Sequence, residues 1–295
     1  MNGFKSQKLA IVGLGLMGSS LALTLRPNVA CIVGVDPNAD SRRYALENGI
    51  VDEATDDLRQ GVHDADTVIL AAPIQTILDI VRNRIGSYLR SNTLLIDLGS
   101  TKADICEALG RLPIGIHAIG GHPMTGKERS GVTAGDPTLY KGRPFVLCST
   151  RRTTPATRLR ALSLVETLGA VAIEMDPHRH DRVVATISHV PYLLSAALMA
   201  TAARQADHDE GVWALAAGGF RDMTRLAGSD ITMMSDITST NTQAIAELLA
   251  HFRVQLAVLE TMLIARDQER LAEALRPMRE ARLQWSKHYD ERRTS

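Results

Sequence analysis

The 295-residue sequence has few cysteines, few aromatic residues and no net charge. Its three cysteines, Cys31, Cys106 and Cys148, lie far apart with no CxxC spacing, which is typical of small core residues or free thiols and argues against a disulfide framework. Thirty-three basic residues balance thirty-three acidic ones. Bulk attraction to nucleic acid or to an anionic membrane is therefore not indicated.

Targeting and metal signals are also missing. The first seven residues are too short and too polar for a signal peptide, and we identify no apolar run of the roughly 18 to 20 residues that would span a bilayer. We therefore expect a soluble, cytoplasmic protein with no membrane partner. No His, Cys and Asp cluster has the spacing of metal ligands, so no metal is predicted.

Short apolar runs alternate with helical patterns in the first part of the chain. These runs lie at residues 8–12, 29–36, 66–73, 93–99, 116–121, 144–149 and 169–176. Continuous apolar strands separated by helices predict a parallel sheet that is covered on both faces. We predict an α/β protein whose N-terminal doubly wound, dinucleotide-binding (Rossmann) domain comprises residues 1–176.

Strand patterns stop after this point, and residues 177–295 are predicted to form an all-helical domain. One stripe of large apolar residues recurs there every three or four positions. Its members are Ile245, Leu248, Leu249, Phe252, Leu256, Leu259 and Leu263. A stripe of about five turns usually packs on several partners, which favours an intertwined homodimer, with packing inside one chain as the alternative.

A glycine-rich turn, GLGLMG, follows the first strand. Gly13, Gly15 and Gly18 fit the pattern G-x-G-x-x-G, in which the glycines allow a tight turn, close approach of a pyrophosphate and close packing of the next helix. Asp36 ends the next strand about twenty residues on, where a carboxylate accepts ribose hydroxyls. Because the motif lies between a strand and a helix and is followed by an acid, it predicts a dinucleotide site.

Asp36 also favours NAD over NADP, since its charge would repel a 2′-phosphate. Arg42 and Arg43 are close by, so NADP stays as an alternative. Cofactor contacts are also expected at Leu16 and Met17 in the turn and in the loop after the strand at 66–73. Pro73 and Gln75 are the candidates in that loop.

Two polar segments follow strands at the predicted carboxyl edge of the sheet. In IDLGSTK, Ser100 and Lys102 are placed for a site; the alternative is a helix N-cap by Ser100 or Thr101 followed by a surface lysine. In GGHPMTGKERSG, His122 stands where a neutral imidazole could take a hydroxyl proton while hydride leaves the same carbon.

The helical half contributes further candidates. His189 in SHVPY precedes a proline and has either a structural or a substrate role. Arg221 and Arg225 in GFRDMTR are one helical turn apart, so a bound anion or solvent must separate their charges. His178 and His180 alternate with arginines and are predicted to lie on the surface.

Taken in order and spacing, GLGLMG, DLGSTK, GGHPMTGKERSG, SHVPY and GFRDMTR resemble the prephenate/arogenate dehydrogenase family of tyrosine biosynthesis. The resemblance implies NAD(P)-dependent oxidative decarboxylation, with a dinucleotide domain followed by a helical dimerisation domain. It also implies that His122 accepts the hydroxyl proton and that Ser100 hydrogen-bonds near it. Arg225, as a buried cation, would hold the ring carboxylate. His189, Glu128 and Arg221 would complete the substrate pocket.

The resemblance leaves the substrate open, because prephenate and arogenate differ only at one α-carbon. Arg221 favours prephenate if it faces the pocket, since it would repel the ammonium group of arogenate. A β-hydroxyacid dehydrogenase is disfavoured because such enzymes usually use a lysine of the helical half as acid/base. The first lysine there is Lys287, near the end of the chain. A non-catalytic NAD-binding regulator is disfavoured because the chemical residues are all present. The chain leaves no room for an appended regulatory domain, so we expect no tyrosine control through one.

Overall fold

The computed structural model describes residues 3–127 and 129–294, and its centre is an eight-stranded sheet. The strands are β1 (Ser6–Val12), β2 (Val29–Val35), β3 (Glu53–Thr55), β4 (Thr67–Leu70), β5 (Leu94–Asp97), β6 (His117–Pro123), β7 (Pro144–Ser149) and β8 (Val171–Glu174). Their spatial order is β3-β2-β1-β4-β5-β6-β7-β8. The first six follow the order of the dinucleotide-binding fold. Every apolar run identified in the sequence overlaps a strand, and β3 lies in none of these runs.

The predicted parallel sheet is confirmed for the first six strands, and one pairing departs from it. β7 pairs antiparallel with β6, from Ile119 opposite Ser149 to Pro123 opposite Phe145, and β8 runs parallel to β7. A parallel neighbour needs a crossover of a dozen or more residues, usually a helix. In the described residues between β6 and β7, the structure has only a short 3₁₀ turn at Val132–Ala134. The chain therefore returns antiparallel.

Helices cover both faces of the sheet, as predicted. They are α1 (Leu16–Leu25), α2 (Ala39–Glu47), α3 (Leu58–Val62), α4 (Ile74–Asn83), α5 (Ala103–Gly110) and α6 (Pro155–Thr167). Alternate residues of β1 enter two different apolar clusters: Leu9 and Ile11 pack with residues of α1 and α6, whereas Ala10 and Val12 pack with residues of α4 and α5. Because both faces of the sheet are buried, the strands appear in the sequence as continuous apolar runs.

After β8 the described chain is helical, as predicted. It forms α7 (Pro177–Val184), a π-helical turn (Ala185–His189), α8 (Val190–Ala206), α9 (Gly211–Ala214), α10 (Gly218–Thr224), α11 (Ile231–Thr240), α12 (Thr242–Ile264) and α13 (Gln268–Thr294). The compact unit that contains the sheet extends to Thr242. One reason is that Met234 and Ile237 of α11 lie in the same apolar cluster as residues of α4.

The second compact unit begins at Gln243 and contains most of α12 and all of α13. The apolar stripe of α12 lies on one unbroken helix, which confirms the helical spacing. Of that stripe, Ile245 is buried, whereas Leu256 and Leu263 are 52% and 57% exposed in the single chain. In the single chain, the other four residues of the stripe are partly buried, so the stripe is incompletely covered.

The expectation that no apolar run is long enough for a membrane is wrong. The continuous helical stretch Pro177–Ala206 has 30 residues and a mean hydropathy of 1.6 over its most apolar window. By length and composition alone it could cross a bilayer, a test that a core helix of a soluble protein also passes. It carries buried polar groups, including His189 and Ser195.

All three cysteines are free, as expected. Cys106 and Cys148 are buried and Cys31 is partly buried. The Cys106 thiol donates to the backbone oxygen of Cys148 at 3.8 Å. These cysteines pack as small apolar residues, and the sheet depends on no covalent cross-link between them.

The glycine turn has steric requirements that differ between its positions. Gly13 has φ of +100°, and a Cβ there would lie 2.4 Å from the backbone oxygen of Ala71. A Cβ on Gly18 would lie 1.9 Å from the backbone oxygen of Gly13. A Cβ on Gly15, where φ is −74°, would meet nothing within 4 Å. A side chain is thus sterically excluded at Gly13 and Gly18, whereas Gly15 borders open space.

We expect Gly18→Ala to destabilise the protein by about 1–3 kcal/mol, the usual cost of forcing an extra methyl group into a packed site. Gly15→Ala is the matched control and should stay within about 0.5 kcal/mol of the parent, since its methyl group has room. Urea unfolding followed by circular dichroism measures both. Equal stability of the two variants would contradict this steric account.

Candidate active site

The candidate site lies at the carboxyl edge of the sheet, where ligands bind in open α/β folds. Because β1, β2, β4, β5 and β6 run parallel, the segments that follow them meet at this edge. A cavity of about 260 Å³ opens here, and Met17, Pro73 and Ser100 are among its lining residues. Helix α11 supplies another wall through Met233 and Asp236. The structure thus brings three predicted site residues together.

The glycine turn and Asp36 are joined by hydrogen bonds. One carboxylate oxygen of Asp36 accepts from the backbone N–H of Leu14 at 2.8 Å, and the other accepts from Asn38 at 2.8 Å. Helix α1 begins at Leu16 with no side-chain cap, so its N-terminal amides are available to an anion. Together with the open space at Gly15, these features fit a pyrophosphate on the turn and a ribose at Asp36.

The arginines near Asp36 are engaged elsewhere. Arg42 donates to the backbone oxygens of Asp36 and Pro37 at 2.6 and 3.0 Å. Arg43 pairs with Asp40 at 2.6 Å. Neither guanidinium stands free for a 2′-phosphate, so the contacts favour a cofactor with an unmodified ribose.

Gln75, a predicted cofactor contact, forms hydrogen bonds to α11. Its backbone N–H donates to Asp236 and its side-chain amide donates to Ser239, both at 3.1 Å. Gln75 therefore helps to attach α11 to the start of α4.

Lys102 is not a surface residue. It is 0% exposed, and its ammonium group donates to the carboxylate of Asp97. The alternative N-cap is wrong as well, since no side chain caps α5 from its N-cap position at Lys102. Instead, the carboxylate of Asp181 accepts from the backbone N–H groups of Lys102 and Ala103 at 2.7 and 2.8 Å.

His122 lies near the end of β6 and is partly buried. Its Nδ1 is 2.8 Å from Nε2 of His180, whose own Nδ1 is 2.7 Å from Oδ1 of Asp181. The prediction that His180 is a surface residue is therefore wrong: it is 1% exposed, whereas His178 is exposed as predicted. The two side chains differ because residues two apart on a helix point to different sides. The signal available was that His180 lies one turn before Val184, an apolar residue that is also buried.

The surroundings of His122 keep its ring neutral at pH 7. Burial is the main cause that lowers the pKa of His122 well below its ordinary 6.5, and the nearby His180, Lys102 and His189 lower it further. A neutral imidazole has one nitrogen lone pair that can accept a proton. His122 therefore has the protonation state of a general base.

His189 is buried at the end of the π-helical turn. That turn precedes Pro191, which cannot donate the usual helix hydrogen bond, and π turns often occur at functional sites. Nδ1 of His189 is 3.2 Å from the side-chain nitrogen of Asn241, and burial lowers the pKa of His189 to about 4. Asn241 and Asp181 are members of the network that the sequence did not indicate.

The predicted substrate cations are exposed in the single chain. Arg221 is 78% exposed and donates to Asp222 at 3.1 Å. The description of Arg225 as a buried cation is wrong, since it is exposed and forms no ion pair with a described residue. The 3₁₀ turn Arg225–Gly228 is nevertheless anchored, because the backbone N–H of Ala227 donates to buried Ser195 of α8 at 3.0 Å. Glu128 lies outside the described residues.

A doubly wound sheet with a glycine turn, an acid after β2 and a neutral histidine at β6 defines a dinucleotide-dependent dehydrogenase. Residues 21–174 match the family model of the prephenate dehydrogenase nucleotide-binding domain, and residues 176–277 match that of the prephenate dehydrogenase dimerization domain. The chain belongs to the prephenate dehydrogenase family. The resemblance drawn from the motifs is confirmed.

Individual relatives agree with this family. Prephenate dehydrogenase of Bacillus subtilis is 32% identical over 92% of this chain and 74% of its own length. Two solved structures cover most of both chains. The arogenate dehydrogenase of Synechocystis has a TM-score of 0.82 and 32% identity, covering 95% of this chain and 100% of its own. The Aquifex aeolicus prephenate dehydrogenase, in complex with hydroxyphenyl propionate and NAD⁺, has a TM-score of 0.86 and 30% identity, covering 94% and 98%.

If His122 is the base, kcat/KM should fall on the acid side with a midpoint below pH 6.5. Its ring is neutral above the lowered pKa and becomes protonated below it, so activity is lost only as pH falls through that lower value. His122→Asn should lower kcat by roughly 10²- to 10⁴-fold. NADH formation measured across pH tests both expectations, and unchanged turnover in the variant would remove His122 from this role.

Proposed function

We propose that this chain catalyses the NAD-dependent oxidative decarboxylation of prephenate to 4-hydroxyphenylpyruvate. The observation that carries this proposal is a neutral histidine, His122, at the same sheet edge as the glycine turn. Family membership supports it, as do relatives named prephenate dehydrogenase at 32% and 34% identity.

The chemistry follows from the charges on the substrate. His122 accepts the proton of the ring hydroxyl while hydride leaves the same carbon, and the ring carboxylate departs as CO₂. The ring becomes aromatic, and the phenolate oxygen takes the proton back. One prephenate dianion thus loses one hydride and one CO₂ and becomes one hydroxyphenylpyruvate anion. Aromatisation makes the step effectively irreversible.

NAD, when bound, supplies the hydride acceptor. The residues that would hold it are Gly13, Gly15, Leu16, Met17, Gly18, Asp36 and Pro73. Asp36 supports NAD because a carboxylate binds the ribose diol and repels a 2′-phosphate. The engagement of Arg42 and Arg43 supports the same choice.

The other substrate roles belong to residues of both halves of the chain. Ser100 lines the cavity with Met17 and Pro73, which supports a role beside the cofactor and His122. His189 is joined to the His122 network through Asn241 and Asp181, which supports a positioning role. Arg225 would hold the ring carboxylate, and its lack of an ion pair among described residues supports this. Arg221 and Glu128 are proposed for the rim of the pocket.

Arogenate is the alternative substrate. The argument that Arg221 repels arogenate has lost its basis, since this side chain is 78% exposed and pairs with Asp222. The Synechocystis neighbour, named arogenate dehydrogenase, supports the alternative. The ring chemistry is the same for either substrate.

We also propose that residues 1–176 act as the dinucleotide domain and residues 177–295 as the substrate and dimerisation domain of a cytoplasmic homodimer. The boundaries of the two family models support this division. The exposed stripe of α12 supports a second copy as partner, and the dimerization-domain match supports packing rather than membrane insertion for Pro177–Ala206. Zero net charge supports the absence of a nucleic-acid partner.

The function is tested by offering prephenate and arogenate separately to the purified protein, each with NAD and with NADP. We expect NADH absorbance to rise with prephenate and NAD. Preference for arogenate would select the alternative, and preference for NADP would contradict the role of Asp36. No turnover in any combination, with NAD bound, would overturn the proposed reaction.

Arg225→Ala should raise KM more than it lowers kcat, because the guanidinium attracts the substrate carboxylate before the reaction begins. An exposed pair of opposite charges is worth about 0.2–1 kcal/mol, which corresponds to roughly 1.4- to 5-fold in KM. Arg204→Ala, which removes an exposed arginine of α8 outside the site, is the matched control. Steady-state kinetics with a normal KM in Arg225→Ala would show that another cation binds the carboxylate.

A further inference from the structure

A buried chain of hydrogen bonds lies behind His122, on the side away from the nitrogen that would act as base. It runs from Nδ1 of His122 to His180 and from His180 to Asp181, over 2.8 and 2.7 Å. His180 and Asp181 are almost fully buried. They can therefore influence the reaction through His122, without touching the substrate.

The hydrogen-bond partners determine where the hydrogens lie. The Asp181 carboxylate already accepts two backbone N–H groups of the α5 N-terminus, so it acts as an acceptor toward Nδ1 of His180 as well. Nδ1 of His180 must therefore carry a hydrogen. When the His180 ring carries this single hydrogen, its Nε2 is an acceptor and Nδ1 of His122 donates to it. That leaves a free lone pair on Nε2 of His122.

The same aspartate acts on the second histidine through its backbone. The side-chain nitrogen of Asn241 donates to the backbone oxygen of Asp181 at 2.8 Å, and since that oxygen only accepts, the amide orientation is fixed. The same nitrogen lies 3.2 Å from Nδ1 of His189. Nδ1 of His189 is therefore the acceptor, and the hydrogen of the neutral ring lies on Nε2.

We propose that His180, Asp181 and Asn241 are positioning residues that hold His122 and His189 in opposite tautomers, with Nε2 of His122 as acceptor and Nε2 of His189 as donor. The inference rests on the proposed function, which gives the two tautomers their roles toward the substrate. One ring then accepts the hydroxyl proton, and the other offers a hydrogen to an oxygen of an anionic substrate. The arrangement follows the same logic as a buried carboxylate that fixes the tautomer of a catalytic histidine.

The tautomers can be read directly by nuclear magnetic resonance. The full-length protein is labelled with ¹⁵N in its histidine rings and saturated with NAD, and the signals are assigned with His122→Asn and His189→Asn. We expect the hydrogen of His122 on Nδ1 and that of His189 on Nε2. The same tautomer in both rings, or the reverse pair, would overturn the proposal.

Variants of His180 supply a kinetic test. His180→Leu removes both ring nitrogens and should lower kcat by roughly 10- to 100-fold, as expected for loss of a partner that orients a catalytic ring, with KM little changed. His180→Gln keeps an N–H donor and a C=O acceptor and should recover most of the lost kcat. His178→Gln, at the exposed histidine of the same helix, is the matched control and should behave as the parent.

A parental kcat in His180→Leu, or an equal loss in the Leu and Gln variants, would contradict the positioning role. If His180→Leu does not fold, the tautomers of the parent and the kcat of His180→Gln decide the matter. The resonance measurement needs no turnover. Failure of the proposed reaction, seen as no activity with either substrate, is therefore distinguishable from failure of the tautomer inference.

Discussion

The carboxylate of Asp181 is the contact on which the site depends. It lies 79 positions after Lys102 in the chain, yet it accepts the first free N–H groups of α5. The negative charge is favourable there because the N-terminus of a helix carries partial positive charge. The same group holds His180, and its backbone oxygen holds Asn241. One residue of α7 thus ties the helical half of the chain to the sheet edge where β5 ends, which is where His122 must be supported.

The buried Asp97 and Lys102 pair complements this contact from the sheet side. Asp97 also accepts from the backbone N–H groups of Gly99 and Gly121, at 2.8 and 3.2 Å, so it joins the end of β5 to the residue before His122. A buried ion pair is weak evidence for stability, since desolvation offsets much of its attraction. Its consequence here is electrostatic. The ammonium group of Lys102 helps to lower the pKa of His122 and so keeps that ring ready to accept a proton.

Much of the fold was predictable because its signals are local. The glycine turn, the apolar strands and Asp36 each depend on neighbours within a few residues, and the structure has them at the expected places. The direction of β7 was not predictable, since an apolar run does not reveal that the described residues between β6 and β7 form no crossover helix. His180 was mistaken for a surface residue because its partner, His122, is 58 positions away. Asp181 and Asn241 belong to no motif that we identified, and their roles follow from tertiary contacts alone.

The exposure of Arg225 fits the demands of a decarboxylation. A cation that bound the ring carboxylate equally well throughout the reaction would only improve binding, and one that bound it best in the ground state would slow the step in which the charge disperses into CO₂. Attraction between charges weakens in the high dielectric near solvent. In the proposed reaction, an exposed guanidinium, with its turn anchored to Ser195 by the Ala227 amide, would attract the dianion without holding the departing carboxylate strongly. The hydrogen bonds of the site converge instead on His122, the proposed base.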